Sequence, residues 1–225
     1  MQDIITLSIS ANTAEDAAAI AEFIKNYCEN HYEDRIVQWG QYVVTRSFGT
    51  SHMVYNDAET PMDYFDFETL KENLFERIAN KLPDIDFDGS CEYTNNDDMS
   101  VRCRKSYENG ILLEIPKNKK AKLISCKAGF TGTYSMPSNI HQINNGAFQN
   151  CTSLEEVFLC ENIKKLGKDT FLGCENLRKV HIPQTVAKIT GKTVFKGCGK
   201  VTIYAPAGSC AETYAKENNI PFVAE

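Results

Sequence analysis

Apolar residues recur with a fixed period in the C-terminal half of the chain. Three stretches place Phe, Cys and an aliphatic strand residue in matching order: GAFQNCTSLEEVFL (146–159), DTFLGCENLRKVHI (169–182) and, more loosely, TVFKGCGKVTIYAP (193–206). Aligned on Phe148, Phe171 and Phe195, the copies lie 23 and 24 residues apart. A repeat of this period predicts a solenoid, because one copy cannot close its own core and stacked copies share one.

Each copy contains a short segment that alternates between apolar and polar residues. In LEEVFL, Val157 and Leu159 alternate with Glu156 and Phe158, and LRKVHI repeats the arrangement. This alternation predicts a short strand with one buried face. Pro183 follows the second segment and ends the strand, since proline has no backbone donor for the sheet.

The repeated pattern I…I…AF.NC.SL..V.IP resembles the BspA-like leucine-rich repeat family of bacterial and protozoan proteins. The stretch KLISCKAGFTGTYSMPSNI (122–140) resembles a first, degenerate repeat, and VTIYAPAGSCAETYAKENNIPF (201–222) is similar to the family's terminal strand, helix and final strand. The resemblance covers about residues 120–225, with about three to four copies and a cap. Cys160 departs from it, standing where the other copies have proline. The resemblance implies a solenoid, and adhesion or protein contact at cell surfaces.

The end of the repeat array carries the signals of a capping helix. In SCAETYAKENN, Ser209 is suited to the N-cap position, and Ala211, Tyr214 and Ala215 fall on one helical face. A short stack leaves its last core layer open, so we expect this helix to cover it.

The N-terminal half, residues 1–115, shows a different pattern and resembles no family. Alternating segments predict strands, and two segments of helical period predict helices, in the order β-α-β-β-α-β with one extra strand: 3–11, 12–30, 35–48, 51–55, 66–82, 85–93 and 99–107. Thr13 and Asp16 resemble a capping box at the start of the first helix. This order predicts a ferredoxin-like α+β sandwich, a fold that by itself implies no function.

Composition and charge exclude some functions. The net charge of −6 argues against a general nucleic-acid binder, which would show a basic face. No apolar run approaches the roughly 20 residues of a membrane span. The opening MQDIITLSISANTAEDA lacks a secretory signal, so the chain as written is expected in the cytoplasm, or at the cell surface or secreted if a leader was removed.

The chain has 9 cysteines and no CxxC pair, which argues against a zinc ribbon or a thioredoxin-like site. We expect reduced, mostly buried thiols; in the repeats they occupy one phase, as small core residues do. The segment DIDFDG (84–89) matches the opening of a calcium loop, but its twelfth position is Asn95 where such a loop needs Glu. We therefore expect a strand with an acidic face there, and no metal or other cofactor.

No sequence motif of a known catalytic class is present. The chain lacks GxSxG, HExxH and a P-loop, and its 4 histidines lie in unrelated contexts. We therefore predict that the protein is not an enzyme.

The outward positions of the repeat strands form the candidate binding site. In-register strands would place one outward column at Ser135, Phe158, His181 and Thr202, and the next at Thr133, Glu156, Lys179 and Lys200. An exposed Phe beside His and mixed charges predicts a binding face, since solenoid sheets serve as extended binding surfaces. The other interpretation is that Phe158 is covered by the N-terminal half.

Two functions follow as hypotheses. The first is a non-enzymatic protein–protein interaction module that presents the repeat strands to an unknown protein partner. The alternative is that the α+β half binds a small ligand or regulates another activity, with the repeats as scaffold. The sequence gives neither the partner nor the oligomeric state.

Overall fold

A computed structural model describes residues 2–31, 43–48, 50–56, 61–63, 74–95, 101–116, 120–127 and 129–225. The chain divides into two compact units, Met1–Lys117 and Asn118–Glu225.

The described residues of the first unit form an antiparallel sheet with two helices. Its described elements follow in the order β1 (Gln2–Ala11), α1 (Ala14–His31), β2 (Val43–Phe48), β3 (Ser51–Asn56), β4 (Pro61–Asp63), α2 (Leu74–Lys81), β5 (Phe87–Asn95), β6 (Val101–Glu108) and β7 (Ile111–Pro116). The strand order is β7-β6-β5-β1-β3-β2, and β4 also pairs with β1. Strand β1 is central because it pairs with β5 on one side and β3 on the other, and its alternate residues Leu7, Ile9 and Ala11 are buried.

Helix α1 confirms the predicted start and the predicted apolar face. The backbone N–H of Asp16 donates to Thr13 Oγ1 at 3.0 Å, so Thr13 satisfies a donor that the first helical turn leaves free. The residues of helical spacing are all buried: Ala17, Ile20, Ala21, Ile24 and Cys28.

The ferredoxin-like class of this unit is not confirmed and stays a prediction. The structure adds strands that the sequence pattern did not indicate, namely β4 and β7. Strand β7 was missed because ILLEIP is a nearly continuous apolar run, which alternation does not identify as a strand. Parts of three predicted elements, 35–42, 66–73 and 99–100, lie outside the described residues.

The second unit is a solenoid of about four turns with a C-terminal helix, which confirms the repeat prediction. Its elements are β8 (Ala121–Cys126), β9 (Gly132–Ser135), β10 (Ile140–Ile143), β11 (Leu154–Phe158), β12 (Lys165–Leu166), β13 (Lys179–His181), β14 (Lys188–Ile189), β15 (Thr202–Ala205), α3 (Cys210–Glu217) and β16 (Phe222–Ala224). A parallel five-stranded sheet has the order β16-β15-β13-β11-β9, and β10 pairs with β8 and β12 with β14 in parallel.

A stack of phenylalanine rings forms the centre of the solenoid core. The ring centroids of Phe148 and Phe171 are 5.1 Å apart, and those of Phe171 and Phe195 are 5.3 Å apart, with planes 12° and 8° from parallel. Phe148 and Phe171 are fully buried. Tyr134 and Tyr214 close the two ends of the stack, at 5.6 and 6.0 Å from their neighbours.

The turns approach each other most closely at one corner. Gly173 and Gly197 occupy equivalent positions with φ of 75° and 87°. A Cβ on Gly197 would lie 3.1 Å from the Cα of Gly173, which is too close for a side chain. Glycine is therefore required there both by the left-handed backbone and by the neighbouring turn.

Helix α3 covers the last turn as predicted. The Ser209 hydroxyl accepts a hydrogen bond from Glu212 N at 3.2 Å, which caps the helix. Ala211, Tyr214 and Ala215 are buried. The Tyr214 hydroxyl donates to the carbonyl of Gly191 at 3.1 Å, which joins the helix to the adjacent turn.

We expect Phe171→Ala to lower the free energy of unfolding by about 3–5 kcal/mol, because it opens a cavity between two stacked rings. Denaturant unfolding followed by circular dichroism measures the change. Phe158→Ala is the matched control, since Phe158 is 38% exposed and its removal leaves no enclosed cavity. Equal losses in the two variants would contradict the inward stacking of Phe171.

We expect Ser209→Ala to destabilise the protein by about 1 kcal/mol, because it removes the helix cap. Thermal unfolding measures the change. Ser135→Ala, at an exposed strand position, serves as the control and should leave the melting temperature nearly unchanged. A null effect of Ser209→Ala would show that the cap does not contribute to the stability of the last turn.

Candidate functional site

Three stacked rings cross the outward face of the parallel sheet. Phe158 of β11, His181 of β13 and Tyr204 of β15 pair in register. The ring centroids are 4.0 Å apart between Phe158 and His181 and 4.9 Å apart between His181 and Tyr204, with planes 10° and 24° from parallel. We call these three residues the aromatic ladder. They stack because in-register strands repeat at about 4.8 Å, which is close to the contact distance of two rings.

Carboxylates hold the central ring of the ladder on both sides. His181 Nε2 lies 3.2 Å from Glu156 Oε1, and His181 Nδ1 lies 3.0 Å from Glu225 Oε1. The same Glu156 oxygen lies 3.4 Å from Lys179 Nζ. The imidazole is therefore fixed by two stacking contacts and two polar contacts, so its orientation is set in the unbound protein.

Glu156 is electrostatically coupled to its neighbours. Partial desolvation raises the pKa of Glu156, but the hydrogen bond to His181 and the charge of Lys179 lower it by more, so its pKa is below the ordinary value of 4.5. The carboxylate is thus ionised over a wider pH range than a free glutamate.

The structure corrects the predicted columns at one strand. Ser135, Phe158 and His181 share the first column as expected, and Thr133, Glu156 and Lys179 share the second. Thr202, however, pairs with Lys179 and so belongs to the second column. Lys200 lies in the turn before β15, where its Nζ donates to Asn176 Oδ1 at 2.8 Å.

Tyr204 is the ladder residue that the sequence analysis missed. It follows His181 by 23 residues, the same interval that separates His181 from Phe158. The Phe and Cys positions of the third copy are 24 residues from those of the second. The interval between the cysteine and the ladder residue is therefore one residue shorter in the third copy than in the second. Equal strand-to-strand spacing was therefore the signal that could have identified Tyr204.

Apolar side chains are exposed on both sides of His181 and Tyr204 in the first column. Phe158 is 38% exposed, and Val223, which pairs with Tyr204, is 42% exposed. Lys179 and Glu225 flank the strip, with side chains 50% and 44% exposed. The face therefore combines an ordered apolar centre with a charged rim, the arrangement common in protein interfaces.

A second row of equivalent side chains lies at an inner corner of the solenoid. One buried cysteine comes from each turn: Cys126, Cys151, Cys174 and Cys198. The thiols donate to backbone carbonyls, as Cys174 Sγ does to Phe148 O at 2.9 Å. For Cys126, the hydrogen bond with Cys151 and then burial raise the pKa. These contacts agree with the expectation that the repeat cysteines are small residues of the core.

Within the described residues, no group of three His, Cys, Asp or Glu side chains is arranged to hold a metal ion. The segment that resembles the opening of a calcium loop leads into β5, which begins at Phe87 and pairs with β1 and β6. This placement agrees with the strand expected there.

The sheet of the first unit carries a shallow polar cavity of about 410 Å³. Arg104 Nε donates to Glu92 Oε2 at 2.8 Å within it. Its lining consists of Thr6, Ser90, Glu92, Arg104, Ser106, Glu108 and Ile115. The cavity offers hydroxyl, carboxylate and guanidinium groups to a polar ligand.

Comparisons with known proteins identify the repeats. Residues 126–202 match the model of the BspA type leucine-rich repeat region, in 6 copies, as the sequence resemblance indicated. One similar solved structure is the crystal structure of a leucine rich cell surface protein from Faecalibacterium prausnitzii A2-165, with 19% identity and a TM-score of 0.31. The likeness covers 49% of this chain and 41% of that one, so this chain spans less than half of that structure's length. No curated protein matches the chain.

Among the described residues, no helix has the length and apolar character needed to cross a bilayer.

We expect Glu156→Gln to lower the melting temperature at pH 7, because it removes the charged partner of Lys179 and His181. The folded-state pKa of Glu156 is lowered, so its stabilising effect is present above the ordinary value of 4.5 and disappears as the pH falls through the lower folded-state value. The difference between wild type and variant should therefore shrink in acid. Differential scanning calorimetry across this pH range measures it.

Glu155→Gln is the control for this prediction, since Glu155 is the neighbouring exposed glutamate of the same strand. Glu155→Gln should leave the melting temperature nearly unchanged both at pH 7 and in acid. A Glu156→Gln effect that is equally large in acid would contradict the role of the ionised carboxylate.

Proposed function

We propose that this protein is a non-enzymatic protein–protein interaction module that binds a protein partner through the outward face of its repeat strands. The observation that carries the proposal is the aromatic ladder, Phe158, His181 and Tyr204, which stacks on the sheet with an exposed ring at its end. Aromatic side chains are enriched in interfaces because they bury a large area at a low cost in side-chain entropy.

Preorganisation supports a binding role for this face. The ladder ring of His181 is held by Glu156 and Glu225 before any partner arrives. A side chain that is already ordered loses little entropy on binding, so more of the contact energy contributes to affinity.

The surroundings of the ladder support a protein as the partner. The strip carries exposed apolar side chains at Phe158 and Val223, and Lys179 and Glu225 at its edges carry opposite charges. A mixed rim of this kind suits a partner with its own polar rim better than it suits a polyanion, in agreement with the net charge of −6. No nucleic-acid partner is therefore proposed.

The proposed role is adhesion-related contact, as the resemblance of the repeats to the BspA-like family implies. Within the ladder, His181 faces two carboxylates instead of a thiol or hydroxyl that it could activate, which supports a binding function over a catalytic one.

The test is a quantitative capture from native lysate and from culture supernatant. Immobilised wild type is compared by mass spectrometry with Phe158→Ala/Tyr204→Ala and with the control Lys165→Ala/Lys188→Ala, which changes exposed residues of β12 and β14. Circular dichroism and melting confirm that all three are folded. We expect a set of proteins that wild type and control retain and the ladder variant loses.

Capture of the same proteins by all three baits would contradict the proposal and favour the second candidate. That candidate, a small-ligand or regulatory role for a ferredoxin-like first unit with the repeats as scaffold, is favoured by the polar cavity on its sheet. Arg104→Ala, which removes the central guanidinium of that cavity, then becomes the informative variant.

A further inference from the structure

The two ends of the aromatic ladder differ. Val223 is the strand neighbour of Tyr204 at one end, and Ser135 is the strand neighbour of Phe158 at the other. Val223 places a branched apolar side chain beside the Tyr204 ring, whereas Ser135 is exposed and carries only a hydroxymethyl group. Of these two end positions, the one at Ser135 therefore leaves space beside the last ring.

One face of the Phe158 ring is uncovered. His181 covers the other face, with ring centroids 4.0 Å apart and planes 10° from parallel, and no other described residue makes a ring contact with Phe158. Because the ladder rings stack from strand to strand, the uncovered face is turned toward β9, above Ser135. Strand β9 is the last strand of this sheet, and Phe158 is 38% exposed. We call this surface the open face of Phe158.

The spacing at the open face fits one further planar group. The ladder rings are 4.0 and 4.9 Å apart, which follows the strand repeat of the sheet. A planar group above Ser135 would continue this series and lie within the roughly 6 Å over which a ring attracts a cation. A side chain of a partner can therefore extend the ladder by one position without any change in the backbone of β9.

The groups around the open face favour a cation. The face of a phenyl ring is negative because of its quadrupole. Glu156 precedes Phe158 by two residues on the same side of β11, and both of its polar contacts use Oε1, so Oε2 has no partner among the described residues. Residues 129–140 contain no charged side chain, and the hydroxyls of Thr133 and Ser135 are exposed. Carboxylate and hydroxyl oxygens therefore border the space beside the ring.

Arginine is the side chain that uses all of these groups. Its guanidinium is a planar cation that stacks on aromatic faces and carries five N–H donors. A lysine ammonium does not cover a ring, and an aromatic side chain brings no charge to Glu156. Diagonal neighbours in a sheet lie about 7–8 Å apart, within reach of long side chains, so a guanidinium above Ser135 can approach Glu156. Lys179 lies on β13, on the opposite side of Glu156 from β9.

Resting on the function proposed for this face, we propose that the open face of Phe158 binds an arginine side chain of the protein partner. The guanidinium stacks on the ring above Ser135, and its N–H groups donate to Glu156 and to the hydroxyls of Thr133 and Ser135. The partner thus supplies the fourth planar group of the ladder. Recognition of this kind gives the strand face a preference for proteins that present an exposed arginine.

The direct test titrates the purified full chain with N-acetyl-arginine methylamide and follows the binding by NMR. The corresponding lysine and tyrosine compounds are titrated at the same ionic strength. We expect the arginine probe to bind most tightly, to move the signals of the Phe158 ring and the Ser135 amide, and to show upfield shifts of its own side-chain protons. These shifts arise because the probe lies over the face of a ring.

Variants of the full chain locate the bound probe. Phe158→Ala should weaken binding of the arginine probe by about two- to fivefold, the change expected for a cation on an exposed ring. Glu156→Gln should weaken it as well, because it removes the negative charge. The control Lys165→Ala/Lys188→Ala, on β12 and β14, should bind the probe as wild type does.

Three results of the titration would overturn the arginine site. Equal affinity for the arginine and lysine probes would show attraction by charge alone. Tighter binding of the tyrosine probe would identify an aromatic occupant. Unchanged affinity of the arginine probe in Phe158→Ala would place its binding elsewhere.

A capture experiment separates this inference from the proposed function. Ser135→Arg puts a guanidinium of the chain itself on the open face, so this bait should lose the proteins that Phe158→Ala/Tyr204→Ala loses. Ser138→Arg adds the same charge at an exposed position outside β9 and should retain them. Circular dichroism and melting confirm that the baits are folded.

The capture has two adverse outcomes with different meanings. If Phe158→Ala/Tyr204→Ala retains every captured protein, the proposed function fails. If that variant loses proteins that Ser135→Arg retains, the proposed function stands and the arginine site is overturned.

Discussion

The solenoid depends on the match between the spacing of its turns and the thickness of an aromatic ring. The phenylalanines of the core stack at 5.1 and 5.3 Å because each turn supplies one ring at the same position. The same spacing acts on the outer surface, where Phe158, His181 and Tyr204 stack at 4.0 and 4.9 Å. One geometric constraint therefore produces both the core that stabilises the array and the face proposed to bind.

A core built from identical layers must be closed at its ends. Tyr134 packs against the first phenylalanine and Tyr214 against the last, and both are tyrosines whose rings are mostly buried. At the C-terminal end, the hydroxyl of Tyr214 bonds to a carbonyl of the adjacent turn, so the polar end of the ring is satisfied as well. The cap is thus a modified continuation of the stack.

The parts of this structure that could be predicted from the sequence are those that repeat. Phe171 and Cys174 recur in phase with their neighbours, so their burial followed from the period alone. The outward column was correct through His181 and failed at Thr202, which lies two residues before Tyr204, the residue that pairs with His181. A shift of two residues keeps the outward direction of the side chain, so alternation alone could not reveal the error in register. The first unit has no repeat to compare with, and strand β7, an apolar run, could not be separated from other buried segments by periodicity.

The glycine corner also makes the copies of the array unequal. A Cβ on Gly197 would lie 3.1 Å from the Cα of Gly173, and a Cβ on Gly173 would lie 2.5 Å from Oδ1 of Asn150, the residue at the equivalent position of the first copy. The first and second copies are therefore not interchangeable, because the glycine of the second leaves the space that the asparagine side chain of the first fills.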